Sequence, residues 1–265
     1  MNPVGMLLIA GLGTGLVLIW FFLFKKTKTP AMKPFLPAWR EYLTKEVHFY
    51  RNLSSDERLQ FESRIQSFLQ AVNITGVGTD INDIDRLLVA TSAVIPVFHF
   101  SNWTRYPNLD EVLIYPNAFR EGDYATQGED RNVLGMVGWG PMNRKIIFSR
   151  PSLHRGFEQE GLTNTGIHEF IHLIDKADGA TDGVPEYLLE KQYVLPWIQL
   201  IYQEIEAIRS GKSDIPPYGA TNQTEFFAVA GTYFFQQPHR FASEHPELFQ
   251  MLEDIFNSTP NKHQK

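Results

Sequence analysis

The sequence predicts an α+β domain, predominantly helical, with a small β-sheet and one transmembrane helix ahead of it. Three observations predict it. Apolar residues at helical spacing dominate between Trp39 and Pro96 and again after Thr165. Short β-rich runs cluster between Val112 and Phe148. The stretch Pro3 to Phe24 carries no charge and is long enough to cross a bilayer as a helix. The chain therefore divides into an anchor with a basic flank (1–28), a Pro-containing linker (29–37) and a main domain (38–265). Within that domain, 38–100 is read as helical, and 101–265 as the part with the sheet and the candidate site.

Composition narrows the function classes. The 265 residues suffice for one large domain or two small ones. Net charge is −6 with no long basic run, which argues against nucleic acid as a partner. There is no Cys, so disulfide and thiolate chemistry are excluded, and a metal site must use His and carboxylate. Absence of Cys also fits a reducing compartment.

Trp20 and the nearby Phe residues suit an interfacial belt, and Lys25, Lys26 and Lys28 follow at once. Basic flanks stay inside, so the expectation is a single-pass anchor in the cytoplasmic membrane with the main domain facing the cytoplasm. A cleaved signal peptide would need a basic n-region, a shorter apolar core and a small-residue cleavage site.

In the main domain, Trp39 to Val47 reads as a short helix. Ser54 and Glu57 form a capping box for the next, with Phe61, Ile65, Phe68, Leu69 and Val72 on its buried face. Another helix is expected after Thr79-Asp80, with Ile84, Leu87, Leu88 and Val94 as core and Pro96 as its end. Val112–Tyr115, Val133–Val137 and Lys145–Phe148 read as short strands. A free edge of their sheet could pair with an extended peptide. Asp130, Arg131, Arg144 and Lys145 read as solvated loop and strand-end residues.

The chemistry lies in His168-Glu169-Phe170-Ile171-His172. Ile167, Phe170, Ile171 and Ile174 recur at helical spacing, so His168 and His172, four apart, point the same way. Two imidazoles so placed can grip one Zn²⁺, with Glu169 beside the metal where a general base is needed. A catalytic zinc site generally has three protein ligands and an open position. Asp178, six residues past His172, is one candidate, although Asp175 stands where a turning Gly would be expected. The other candidates are Glu186, Glu190, Glu204, Glu206, Glu225, Glu244 and Glu247. Trp197 to Ser210 reads as an amphipathic helix starting after Pro196 and closed by Gly211, with Glu204 and Glu206 on its solvated flank. Glu225 is preferred because it opens the apolar run Phe226–Ala230, where a lone carboxylate is costly without a cation. Tyr218, in a Pro-rich loop seven residues earlier, is either an oxyanion donor or a loop aromatic capping the core.

These residues resemble the Mlc titration factor A family of zinc-dependent peptidases. The match includes Ile167–Asp175, Asp178-Gly179, Gly183-Val184-Pro185, Pro217–Thr221 and Glu225–Val229. Upstream it includes Leu113–Pro116 with Phe119, and Val133-Leu134-Gly135 with Gly140-Pro141. The resemblance runs from about Trp39 to Leu248. It implies a zincin-like metallopeptidase domain with a gluzincin-type site, related to the catalytic domain of anthrax lethal factor. His168, His172 and Glu225 would bind zinc, Glu169 would be the base, and Tyr218 would match the family's transition-state donor.

The resemblance further implies a peptide or protein substrate and aminopeptidase-like activity. Yet Gly135-Met136-Val137-Gly138 lacks the acid of a Gly-x-Met-Glu-Asn amine-recognition loop. Asp175 and Asp178 are candidates to orient a ligand imidazole. The family name records sequestration of a transcriptional repressor, which makes a repressor the alternative partner and a regulatory binding protein the alternative function. Two departures stand out. Thr232 occupies a position where the family often has Glu, and the membrane segment is absent from the family's best-known soluble form.

Overall fold

The computed structural model describes residues 34–257 except 101, 102, 104, 159, 160 and 187. The expected membrane anchor at 3–24 lies outside the described residues. Among the described residues no helix is long and apolar enough to cross a membrane.

Helix α1 (Pro37–Glu46) carries Pro at its first position, where the missing N–H has no intrahelical partner to lose. After the short α2 (His48–Arg51), α3 (Ser55–Ala71) is capped as the sequence predicts. The Glu57 N–H donates to Ser54 Oγ at 3.4 Å, and the Ser54 N–H donates to Glu57 Oε2 at 2.8 Å. Strand β1 (Asn73–Gly76) follows directly, in the part read as helical. Helix α4 (Asp83–Val94) starts later than the sequence suggests, because Asn82 is its cap. Asn82 Oδ1 accepts the Ile84 and Asp85 N–H groups at 2.9 and 3.0 Å, while Asp85 returns a carboxylate to the Asn82 N–H. Pro96 sits in the 3₁₀ turn Ile95–Val97 that closes the helix.

Strands β2 (Glu111–Tyr115), β3 (Gly135–Val137) and β4 (Lys145–Ser149) complete a sheet of order β1-β2-β4-β3. β1, β2 and β4 run parallel, and β3 is antiparallel to β4. Parallel β1 and β2 require a crossover, which α4 supplies. Alternation divides the faces. Val112, Ile114, Ile146 and Phe148 join the main core, whereas Leu113 and Ile147 pack with Phe119 in a smaller cluster.

The remaining helices are α5 (Arg150–Glu158), α6 (Thr165–Asp175), α7 (Lys191–Arg209), α8 (Gln223–Gln236), α9 (Pro238–Glu244) and α10 (Pro246–Asn257). α7 begins at Lys191 and holds Pro196 within it, rather than starting after it. Pro fits helical φ, and the bond it forfeits, to the Gln192 carbonyl, lies close to the first turn. Burial of Trp197, Leu200 and Ile201 holds the helix beyond it.

Phe170 is the centre of the core beneath α6. Its ring meets those of Phe68 on α3, Tyr106 and Phe148 on β4 at centroid distances of 5.8, 5.1 and 6.3 Å. On its other side α6 packs against α8. A Cβ added at Gly231 would come within 2.8 Å of Ile171 Cδ1, so the two helices approach more closely there than an alanine would allow.

Candidate metal centre

Asn164 caps α6 by accepting the Ile167 N–H at 3.1 Å, and its own amide donates to the Gly156 carbonyl at 2.7 Å. The helix so fixed buries Ile167, Phe170, Ile171 and Ile174 and leaves His168 and His172 facing a cleft. Their Nε2 atoms are 3.0 Å apart. Glu225 arrives from α8, where Asn222 Oδ1 accepts its N–H at 2.8 Å. Glu225 Oε2 lies 3.2 Å from His168 Nε2 and 3.4 Å from His172 Nε2. Among the described residues these three form the one group of His, Cys, Asp or Glu side chains placed to hold a metal ion.

The spacing fits zinc. Four ligands in a tetrahedron with bonds of 2.0–2.1 Å stand about 3.3 Å from one another. Here two imidazole nitrogens and a carboxylate oxygen, all largely buried, converge at nearly that separation. With both imidazoles in the tautomer that presents a bare Nε2, three lone-pair donors face one point, and a cation there satisfies all three at once.

Glu169, beside the pair, is only 6% exposed. Burial raises its pKa above the usual carboxylate range, against the opposing pull of the two imidazoles. Glu225 behaves in the opposite way. Burial works against its charge, but the hydrogen bonds of His168 and His172 hold its pKa far down. Its position in the first turn of α8, at the positive end of the helix dipole, favours the same ionised state. The β3 backbone passes directly over this arrangement. A Cβ on Gly135 would lie 2.9 Å from Glu169 Oε1 and 2.6 Å from Thr165 Cγ2, so glycine is needed there.

Tyr218 lies in the 3₁₀ turn Pro217–Ala220, with its ring 6.0 Å from that of His168. Tyr218 is 56% exposed, yet partial burial of its ring, and then the charges of Glu225 and Glu169, push its phenol up to about 12. It therefore stays protonated at neutral pH and can donate. The loop before it is tied down by Asp214. That carboxylate accepts from Tyr233 Oη at 2.7 Å, His245 Nε2 at 2.8 Å and Arg240 Nη2 at 2.7 Å. His245 Nδ1 lies 3.3 Å from Glu204, so Glu204 is not the solvated residue that the sequence suggests.

Asp178 does not join the metal group. It accepts the Ala180 and Glu186 N–H groups, both at 3.0 Å. Asp175, fully buried, does not bond an imidazole among the described contacts. Its two oxygens accept the Gly183 N–H at 3.1 and 3.0 Å. Burial, set against that hydrogen bond, pushes its pKa up to about 7. The contact registers the two ligand helices. Gly183 has φ +79°, and a Cβ there would be 2.4 Å from the Gln223 carbonyl oxygen, two residues before Glu225. Trp197 Nε1 secures the same turn by donating to the Gly183 carbonyl at 2.7 Å.

The cleft above the three side chains encloses about 850 Å³. Its walls include Glu121, Trp139, Thr165, Lys176 and Thr232. Sequence reasoning gave none of these a place in the site except Thr232, noted as a departure from the family. Nor did it find Asp214 and His245. They lie in loops or on unrelated helices and carry no periodic signal.

A predominantly helical domain with a small mixed sheet, and two histidines and a glutamate converging in a cleft, has the build of a zincin-type metallopeptidase. Comparison with known proteins gives the particular group. The family model described as glucose-regulated metallo-peptidase M90 matches residues 22–257, and the chain belongs to that family. An uncharacterized protein of Synechocystis is 31% identical over 242 residues, 86% of each chain. Mlc titration factor A of Escherichia fergusonii is 27% identical over 241 residues, covering 84% of this chain and 87% of its own. The same-named protein of Enterobacter is 28% identical over 252 residues, covering 89% and 91%. The resemblance to the Mlc titration factor A family stands.

Two predictions follow from this geometry. Gly183→Ala combines a positive φ with a backbone collision, so it should cost about 1–3 kcal/mol. It should also weaken metal retention by displacing the α8 end; urea unfolding and metal titration would measure both. The Asp214–His245 contact should show a bounded pH dependence. Hydrogen bonding to Glu204, against burial, raises the His245 pKa, so its contribution is full below the unfolded value of about 6.5 and fades as pH rises through the folded one. Burial opposes ionisation of Asp214, yet its hydrogen bonds to His245 and Tyr233 lower its pKa; its contribution fades as pH falls below about 4. The stability lost in His245→Gln should therefore be largest near pH 5–6, on the order of the unfolded pKa values, and shrink in alkali.

Proposed function

We propose that this chain is a zinc-dependent peptidase anchored in the cytoplasmic membrane, with His168, His172 and Glu225 as metal ligands. The observation that carries this reading is the convergence of those three side chains with Glu169 buried beside them. The chemistry that a zinc ion supplies in such a set is Lewis acidity, which lowers the pKa of a coordinated water and polarises a carbonyl.

The chain's own residues supply the rest. Glu169 takes the proton of the attacking water and returns one to the leaving amine. Tyr218 donates its O–H to the negative charge that develops on the substrate's carbonyl oxygen. β3 is the edge strand beside the cleft, and its Met136 and Val137 line it. An extended peptide can add there as a further strand, held by main-chain hydrogen bonds.

A second reading, sequestration of a transcriptional repressor, draws on the family resemblance and on the name Mlc titration factor A that relatives carry. It is compatible with peptidase activity. A surface variant that loses repressor binding but keeps turnover would separate the two.

Zinc content and peptide hydrolysis, measured together, test the first reading. Wild type and Glu169→Gln should each hold one zinc, with turnover falling about 10²–10⁴-fold in Glu169→Gln. Tyr218→Phe should lower kcat about 10²-fold with little change in KM. Glu225→Ala should weaken zinc binding by at least about tenfold, the loss that even outer partners of a ligand can cause. Zinc in every variant with no turnover in any would leave a binding role and remove Glu225 as a required ligand.

The uncharged run 3–24, followed by Lys25, Lys26 and Lys28, supports the anchor, and the family match begins only at residue 22. Full-length protein should sediment with membranes, resist a high-salt wash and be released by detergent. Recovery in the soluble fraction would remove the anchor from the proposal.

A further inference from the structure

We propose that Glu121 determines specificity in the cleft by taking an ammonium or guanidinium group of a peptide lying along β3. This inference rests on the peptidase reading above and adds the substrate's charge to it.

Among the described residues, the acidic side chains lining the cleft are Glu121, Glu169 and Glu225. The last two belong to the candidate metal centre, which leaves Glu121 as the carboxylate on that wall open to a ligand. It sits on a built turn. The Arg120 N–H donates to the Ala125 carbonyl at 3.0 Å, and the Tyr124 N–H to the Arg120 carbonyl at 3.0 Å. The adjacent cation does not cancel its charge, because Arg120 is forked onto Asp123. The turn is fastened to the approach of the edge strand. Phe119 and Val133 exchange backbone hydrogen bonds at 3.1 and 3.0 Å, and β3 begins two residues later. Glu121 thus stands at the entry end of β3. Its charge also reaches Tyr218, where it contributes to the raised phenol pKa.

The other end of β3 has the opposite sign. Lys176, also on the cleft wall, donates to Asn143 Oδ1 at 3.3 Å, beyond the point where β3 leaves the sheet. A peptide cation is therefore attracted to one end of the strand and repelled from the other. The cleft selects for the presence of a positive group and also for its position along the chain.

Two sources supply this chemistry, the α-ammonium of a free N-terminus and a Lys or Arg side chain. A peptide series carrying Arg, Gln or Glu at one position, each with free or acetylated N-terminus, distinguishes them. Binding is read on full-length, zinc-loaded Glu169→Gln protein, and cleavage on wild type. The Arg peptide should bind about three- to fivefold more tightly than the Gln peptide, as a partly exposed ion pair allows. That ratio should fall to about one when Glu121→Gln is added and invert with Glu121→Lys, and it should shrink at high salt. If the side chain is the group, the Arg-over-Gln ratio persists on acetylation; if the α-ammonium is, Arg and Gln peptides bind alike and acetylation itself weakens binding by a similar factor, which Glu121→Gln removes. If neither the Arg-to-Gln ratio nor the free-to-acetylated ratio is moved by Glu121→Gln, the inference is overturned, even where wild type cleaves every peptide. A Glu121-dependent ratio without cleavage by wild type upholds it and removes the peptidase reading instead.

Discussion

The centre depends on the spacing between two helices. One turn of α6 places His168 and His172 side by side, a relation that helical geometry fixes without outside help. The third group comes from α8, and nothing within either helix sets that distance. Two contacts do. Gly231 lets α8 come down onto Ile171, and the turn at Gly183 links Asp175 on α6 to the backbone at Gln223 on α8. The first sets separation and the second sets register along the axis. The aromatic packing around Phe170 keeps α6 from yielding in the other direction.

Such an arrangement concentrates charge where solvent is scarce. Glu225 is close enough to raise the pKa of Glu169, and burial penalises the charge of both. The fold treats them differently. Glu225 has a helix N-terminus and two imidazoles, so it remains an anion. Glu169 lies under the β3 backbone, where Gly135 leaves room for its carboxyl and no Arg or Lys pairs with it among the described contacts. Two carboxyl groups are thus driven toward different ionisation behaviour by surroundings rather than by residue type.

What was legible in the sequence is what depends on short range. The capping box of α3, the α6 periodicity and the His-Glu-x-x-His spacing were read from neighbouring residues. Glu225 was reached by asking what an isolated carboxylate does in an apolar run. β1 was missed because Asn73–Gly76 offers little beyond Ile74, and its parallel pairing with β2 depends on residues more than thirty positions away. From sequence, Asp175 is a candidate to orient a ligand imidazole, whereas its bond is to the Gly183 backbone. The bond to Gly183 depends on how the chain turns back, which spacing does not encode. Glu204 was misread for a similar reason, since its partner His245 comes from beyond α9.

Thr232 bears on how the cleft is charged. It is buried, lies two turns beyond Glu225 on the same helix face, and its hydroxyl is turned back to the Ala228 carbonyl at 2.7 Å. The wall it forms is therefore neutral. A glutamate at this position would add a third carboxylate to a cleft that already buries two. Like charges so placed raise one another's pKa and disfavour ionisation of Glu169 and Glu225 together. With threonine there, the remaining acid among the described lining residues is Glu121, out on a solvated turn where its charge costs little to maintain. His168, Glu169, His172 and Glu225 thus line the cleft together, while Glu121 stands apart on the rim beside β3.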